Sequence, residues 1–388
     1  MLLCSKDSNI KTQMFEMIFL SLFFYVSNFY TVNIPVPDSY GARTLIRKNK
    51  NEYIMISNRY FDSYAYKLEM KYDNITFLDK RDFGDNSDYT VKSILILDNN
   101  IIFYIFMFHV FIENNGKTNE IVWENINWFI KKRYLTDAFN NHCILICTYT
   151  KNYSLDNRYD IQLNLIKAPY TEISKEIEIE TLSKNTNVKL IGLKDYFVYI
   201  KINENKNNKI NITYKFLDLD LNFVDSFNKT YENYSSLYFY SIPNEGEVNT
   251  FMICFLKKED MLNDFDIYKC QIINYENKDL HIIQTIDIPI RNYQSYYDIK
   301  IIFFDKNKIA FCSCDYLFCA KEYINILQYE NQVLSFYKNF KNLTISHLPN
   351  QDSNTKFIIT ELGVAAVVGQ SICLYYLSSI CVPKTITL

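Results

Sequence analysis

One short unit recurs along the chain and constrains its fold more than any other feature. It is an apolar run of about five residues, a polar turn of two to four, and a second apolar run. Ser93-Ile-Leu-Ile-Leu97, Asp98-Asn-Asn100, Ile101-Ile-Phe-Tyr-Ile105 is the clearest copy. Lys189–Leu193 with Tyr196–Ile200 around Lys194-Asp195, and Lys300–Phe304 with Ile309–Cys312 around Asp305–Lys308, repeat it. Weaker copies turn near Lys50, Asn141, Gly246 and Leu362. Apolar runs of this length bounded by turn residues read as buried strands joined in hairpins.

The turns centre on positions 50, 99, 141, 195, 246, 307 and 362. Successive centres lie roughly 40–60 residues apart, the spacing of propeller blades, and each interval has room for the four strands that a blade contains. Ser63–Met70, Tyr159–Ile166, Ile210–Leu217, Asp266–Ile273 and Tyr323–Tyr329 supply third strands, and Glu176–Glu180, His281–Ile286 and Gln332–Phe336 fourth ones. The first two runs of each unit are apolar on both faces, as strands packed between neighbouring sheets must be. The Glu/Ile alternation of Glu176–Glu180 suits an outer strand, where charge deters edge-to-edge pairing. The last unit has no fourth strand of its own, and Tyr30–Ile34 is placed to supply it from the other end of the chain. The fold expected is therefore all-β, a seven-bladed β-propeller over residues 29–388 after a signal-like segment at 1–28; the competing architecture is two packed β domains.

Composition supports this. Tyr and Phe number 33 and 29 against 7 Gly and 7 Pro, favouring a pleated surface over collagen-like chains or helical bundles. With so little Gly, Asn and Asp must carry the turns, since they best tolerate left-handed backbone among other residues. No blade ends in Trp-Asp, the double Gly of kelch repeats is missing, and two Trp are too few for the Trp-bearing box of sialidase-like blades.

The ends suggest a cellular route. Lys6 and Lys11 precede the apolar stretch Met17–Val26, followed by polar sequence with Pro35 and Pro37. That order is the pattern of a secretory signal peptide, although Glu16 abuts the apolar stretch and no clean small-residue cleavage site follows; a start at Met14 gives a more compact signal. A secreted or cell-surface location follows; the alternative is cytoplasmic, with Met17–Val26 packed as a buried element. Gly363–Val382 carries no charge. Its length matches the roughly 20 residues that a transmembrane helix needs, but Gln370, Ser371, Ser378 and Ser379 divide it into runs of strand length. Two strands are expected there, with a helix at or beyond 363–382 as the alternative. Membrane association would then come through the N-terminal segment or a C-terminal anchor.

On that route Cys143, Cys147, Cys254, Cys270, Cys312, Cys314, Cys319, Cys373 and Cys381 are disulfide candidates, with pairing left open because spacing does not determine it. Cys4 leaves with the signal. Buried free thiols acting as small hydrophobes are the alternative. The Asn-x-Ser/Thr triplets at Asn74, Asn152, Asn211, Asn228, Asn233 and Asn342 are glycosylation candidates. An Asn-rich chain makes about that many by chance, so they count only if the chain is secreted. Asn228 and Asn233, flanking Thr230–Glu232, read as an exposed pair in a polar connection.

Chemistry is sparse. The formal charge of −3 provides no basic field for nucleic acid. Cys312-Ser-Cys314 with Cys319 lacks the fourth ligand of a zinc site. Asp218-Leu-Asp220-Leu-Asn222 imitates a calcium loop, yet Phe223 and Lys229 stand where Gly and the bidentate Glu belong; its alternation reads as a half-exposed strand. There is no nucleophile elbow, no His-Glu-x-x-His helix and no phosphate loop. His109, His142, His281 and His347 share no spacing, and His109 lies within an apolar run. Asp79, Asp82, Asp85 and Asp88 crowd one loop around Gly84, and Glu259, Asp260, Asp264 and Asp266 another; such runs are usually solvated surface. No catalytic, cofactor or metal residue is expected. The reading is a non-catalytic binding or structural module that meets a protein or glycan on one ring face. The alternative is a glycan-processing enzyme, whose two acids would converge at the central channel about 5–10 Å apart.

Overall fold

In the computed structural model the described residues run from 31 to 376, apart from 36–41, 50, 60–61, 72–73, 84–90, 98–100, 124–131, 141, 153–157, 184–185, 206–208, 233–235, 242–247, 258–264, 292–296, 306–307, 316–320, 331, 345–355, 360–362 and 369–370. The strands form seven four-stranded antiparallel sheets. β1 (Thr31–Pro35) comes first in the chain. Blade 1 follows with β2 (Ala42–Arg47), β3 (Glu52–Arg59), β4 (Asp62–Lys71) and β5 (Asn74–Asp82). Blade 2 holds β6 (Ser93–Leu97), β7 (Ile101–Ile105), β8 (His109–Asn114) and β9 (Lys117–Val122). Blade 3 holds β10 (Lys132–Phe139), β11 (Cys143–Asn152), β12 (Arg158–Lys167) and β13 (Lys175–Ser183). Blade 4 holds β14 (Thr186–Gly192), β15 (Tyr196–Asn205), β16 (Lys209–Asp218) and β17 (Phe223–Glu232). Blade 5 holds β18 (Ser236–Ser241), β19 (Thr250–Lys257), β20 (Phe265–Glu276) and β21 (Asp279–Arg291). Blade 6 holds β22 (Tyr297–Asp305), β23 (Lys308–Asp315), β24 (Lys321–Glu330) and β25 (Val333–Thr344). Blade 7 joins β26 (Lys356–Ile359), β27 (Gly363–Val368) and β28 (Ser371–Tyr376) to β1.

All seven expected turns fall between the first and second strands of a blade. The ring closes as expected too: Thr31–Pro35 pairs antiparallel with β28, Val32 opposite Leu374 and Ile34 opposite Ile372. Gly363–Val368 and Ser371–Tyr376 are strands paired with one another, so the membrane-helix alternative for 363–382 is set aside across these two segments: their backbone groups are spent on neighbouring strands. No helix among the described residues is long and apolar enough to cross a membrane.

The core lies between the blades. Because side chains alternate across a strand, second strands such as β7, β15 and β19 each feed two cores. In β15, Phe197 and Tyr199 join Leu145, Leu163 and Leu190 between blades 3 and 4. Val198, Ile200 and Ile202 join Phe251, Ile253 and Phe255 between blades 4 and 5. In β19, Met252 and Cys254 turn the other way, to Ile309, Leu327 and Leu334 of blade 6. The same division in β7 sends Ile102 and Tyr104 toward blade 1 and Phe103 and Ile105 toward blade 3. At roughly 1.5–3 kcal/mol for each large side chain buried, these interfaces dominate the stabilisation of the ring.

Further out, the blades splay and one face becomes polar. β16 buries Ile210, Ile212, Tyr214 and Phe216 and exposes Lys209 and Asn211. β13 exposes Glu176 and Glu178, as an edge strand should. In five blades the outer strand carries one extra apolar residue opposite the third strand: Leu78, Ile179, Val224, Ile283 and Tyr337. A bulge of this kind re-aims the residue that follows. In two blades that residue grips the next blade. Glu180 accepts from Nζ of both Lys201 and Lys215 in blade 4. Gln284 donates to the carbonyl of Leu334 in blade 6 at 2.8 Å and accepts its N–H at 2.7 Å.

The turns use the residues that scarcity of Gly demands. Asn115-Gly116 and Asn277-Lys278 have both central φ angles positive, at 49° and 77° and at 53° and 61°, the signature of two-residue type I′ hairpins. Leu221 also has positive φ, at 59°, which revises the strand expected over Asp218–Asn222. Asp218 ends β16, and its Oδ1 accepts the N–H groups of Asp220 and Asn222, each at 2.8 Å. Leu219 and Leu221 turn back to the core between blades 3 and 4, so the alternation imitated a strand. Gly192 answers a different need. A Cβ on it would lie 1.7 Å from the carbonyl oxygen of Phe139, because the innermost strands β14 and β10 approach there with no room for a side chain.

Candidate functional site

The up-and-down order of each blade sends its connections to two ends of the ring. Turns from first to second and from third to fourth strands emerge at one end; turns from second to third strands and crossings to the next blade emerge at the other. The first end is mostly tight, with two residues joining β8 to β9 and β20 to β21; 168–174 and 242–249 are its longer connections. The strands flanking 83–92, 123–131 and 345–355, connections of nine to eleven residues, end at the second, as do those flanking the seven-residue 258–264. Asp85, Asp88, Glu259, Asp260 and Asp264 lie outside the described residues. Asp79 and Asp82, expected in the same loop, instead belong to β5, and Asp266 to β20. Asp79 stands 3.6 Å from Lys67 Nζ.

Nearest the axis, the innermost strands bring one described carboxylate into a polar cluster. Asp137 of β10 accepts from Tyr134 Oη at 2.7 Å through Oδ1 and from Ser93 Oγ of β6 at 2.9 Å through Oδ2. Burial raises its pKa above the ordinary carboxylate range, against the lowering effect of those two donors and of Lys189 on β14. Tyr134 is raised as well, by burial first and then by the neighbouring Asp137. Both oxygens of Asp137 are thus engaged by residues of the chain itself. The other acids on innermost strands are Asp298 and Asp305 of β22, whose side chains lie outside the described set.

Two further acid clusters lie between blades. Glu113 of β8 bridges to Lys67 and Arg81 of blade 1, with Arg81 Nη1 at 3.4 Å. For Glu180, burial works to raise the pKa, but the ammonium groups of Lys201 and Lys215 outweigh it and hold it below the usual value. These groups join blades, and each carboxylate is matched by two cations. Among the described residues no three His, Cys, Asp or Glu side chains gather in a way that could hold a metal ion.

The three described histidines sit in three different blades. His109 is buried and stacks on Phe106, ring centroids 4.6 Å apart. His142 donates its backbone N–H to Asn140 Oδ1. His281 sits 3.7 Å from Asp279 on the surface, and His347 lies outside the described residues.

The sulfur chemistry is partly settled. Cys254 and Cys270, directly opposed on β19 and β20, form a disulfide with Cα atoms 4.1 Å apart. Cys143 and Cys147 are buried free thiols; burial raises Cys147 strongly and Cys143 to about 11. Both point into the core between blades 3 and 4, the role of a small hydrophobe. Cys312 and Cys314 lie in β23 and Cys373 in β28. Cys4, Cys319 and Cys381 fall outside the described residues. Spacing alone could not have found the pair, since 16 residues separate Cys254 from Cys270 and only the register makes them neighbours.

Of the triplets, Asn211 and Asn228 are exposed on β16 and β17. Asn228 lies within a strand and not in the polar connection expected, while Asn233 falls outside the described residues. Asn74, Asn152 and Asn342 lie in β5, β11 and β25.

Seven four-stranded antiparallel blades, with the ring closed by strands from both ends of the chain, make this protein a seven-bladed β-propeller. No described protein family matches the sequence, and no curated protein does so at a significant level. Solved structures do match in shape. The WD40 domain of SCAP from fission yeast has 10% identity, covering 90% of this chain and 98% of its own, with a TM-score of 0.38. Hydrazine synthase of Kuenenia stuttgartiensis has 9% identity, 88% and 97% coverage and a TM-score of 0.49. An uncharacterized protein of Listeria monocytogenes has 12% identity, 88% and 92% coverage and a TM-score of 0.46. At such identities the likeness is one of fold.

Proposed function

We propose that this chain is a secreted or cell-surface propeller that binds a protein or glycan partner without catalysis, using the end of the ring that carries the crossings between blades. The observation that carries the reading is the contrast between the ends: the strands flanking 83–92, 123–131 and 345–355, connections of nine to eleven residues, all end at one, while no connection at the other exceeds the eight residues of 242–249. These three connections exceed the usual median of about 4–6 residues, and a rigid scaffold presenting loops is a common basis for recognition. The described carboxylates near the axis and between blades serve neighbouring side chains, which favours a structural role for them. The signal-like segment 1–28 supports secretion, as does a disulfide between Cys254 and Cys270, a bond that persists in oxidising compartments.

The test has two arms. The full chain, tagged at its C-terminus, is expressed in a eukaryotic host and sought in the medium and on the cell surface; retention in the cytosol with all thiols free overturns the secretory part. Purified protein is then screened on extracellular protein and glycan arrays. Replacing 84–90 and 258–264 by short Gly-Ser linkers should abolish any interaction found, while remodelling the opposite end at 115–116 and 277–278 should leave it intact. The reverse pattern overturns the assignment of the face.

A further inference from the structure

Asn211-Ile-Thr213 and Asn228-Lys-Thr230 occupy adjacent strands, and the register of β16 and β17 sets Asn211 opposite Thr230 and Thr213 opposite Asn228. The two acceptor triplets therefore face one another head to tail. Their side chains are bonded reciprocally: Thr213 Oγ1 donates to Asn228 Oδ1 at 2.7 Å, and Thr230 Oγ1 donates to Asn211 Oδ1 at 2.8 Å. Both asparagines are exposed. The reciprocal bonds engage the amide oxygens and not the Nδ2 groups.

We propose that Asn211 and Asn228 form a paired N-glycan acceptor site on the flank of blade 4, both positions carrying sugar on the same molecule; this rests on the secretory reading above. The chemistry fits the geometry. An N-linked sugar forms its bond at Nδ2, keeps one N–H there and leaves the carbonyl oxygen as an acceptor, so neither threonine bond is lost when a glycan is attached. The flank is already polar: Lys209 and Glu232 continue the ladder at one end as an ion pair, and Lys215 faces Ser226 at the other. The apolar side of the same hairpin, Ile210, Ile212, Tyr214 and Phe216, is buried against blade 5; the acceptors lie on the side toward blade 3, beyond the point where Lys215 bonds Glu180, and both stay exposed there. The acceptors stand diagonally across two strands, about 7–8 Å apart by ordinary sheet spacing. A first glycan would crowd access to the second on the folded hairpin, so occupancy of both requires transfer before β16 and β17 pair.

The full chain is produced in a eukaryotic secretory host in two forms, one with its own N-terminal segment 1–28 and one with that segment replaced by a heterologous signal. The secreted protein is treated with peptide N-glycosidase and analysed as peptides spanning 209–232. Two glycans on one peptide are expected, with Asn211→Gln and Asn228→Gln each removing one mobility step and the double variant two. Thr213→Ser and Thr230→Ser, which retain both triplets and the hydroxyl donors, should retain both glycans. A secreted, folded protein with peptide 209–232 bare, or bearing sugar at a single position in every molecule, overturns the proposal. If only the heterologous form is secreted and doubly glycosylated, the paired site stands and the secretory reading fails.

Discussion

Gly192 gives the sharpest test of how the blades are held. Its Cβ in an alanine variant would lie 1.7 Å from Phe139 O and 2.6 Å from Phe139 C. Real Cβ atoms essentially never come within 3.0 Å of such a neighbour, so both contacts fall well inside the limit. The obstacle is backbone, which has no rotamer to escape into. β14 must therefore move off β10, yet blade 4 is packed on its other side through Ile200, Phe216 and Phe251, and a closed ring cannot yield on one side without compressing the other. Overpacking that side chains can absorb costs roughly 1–3 kcal/mol; a forced backbone shift in a dense interior should exceed about 4 kcal/mol. Gly116→Ala is the control. Gly116 has φ of +77° and open space around its missing Cβ, so alanine there should cost only the left-handed penalty of about 1–2 kcal/mol. Urea unfolding followed by far-UV circular dichroism and tyrosine fluorescence would measure both. A Gly192→Ala protein no less stable than Gly116→Ala would refute the close approach of the two innermost strands.

Four other outcomes are expected. Burial raises the pKa of Asp137, so the folded state binds its proton more tightly than the unfolded chain, and stability should fall as pH rises from the ordinary carboxylate range through the folded value; Asp137→Asn should flatten that fall, and urea midpoints from pH 4 to 7 that stay parallel for the two proteins would contradict it. Glu180 behaves in the opposite sense, being held low by Lys201 and Lys215: Glu180→Ala should cost about 2 kcal/mol at pH 7, from two charge-assisted bonds in a partly buried gap, and the loss, read from urea midpoints, should shrink as pH falls through its folded pKa. Lys278 has φ of +61° in a two-residue hairpin, so Lys278→Gly should raise stability by up to about 1 kcal/mol, and a fall in the denaturation midpoint would count against the turn geometry. Peptide mapping without reductant should recover Cys254 linked to Cys270, with Cys143 and Cys147 alkylated only after unfolding; replacing the linked pair by alanine should cost about 3 kcal/mol for a loop of this size.

The blade count, the position of all seven first turns and the strand that closes the ring were legible in the sequence. Each rests on local patterning: five-residue apolar runs, turn residues between them, and an interval fit for four strands. The double-faced apolarity of β7, β11, β15 and β19 was legible for the same reason, since alternation sends neighbouring residues to opposite faces. The loop expected around Asp79 and Asp82 was read wrongly, because a strand with a bulge and alternating charge resembles a polar connection when its partner is unknown. Asp218–Asn222 failed in the converse way, with Leu221 buried and Leu219 packed on the same core from within a turn.

What lay beyond the sequence are the relations between residues far apart along it. Asp137 finds Ser93, Glu180 finds Lys201 and Lys215, Cys254 finds Cys270, and Thr213 finds Asn228 only after strands have taken their register and blades their order. The period of a strand or of a blade is a property of one stretch of chain, and the order of residues in that stretch carries it. A pairing between stretches depends on which bulge shifts which strand by one place, and on how closely two backbones pass, as at Gly192. Those are decided by packing in the closed ring.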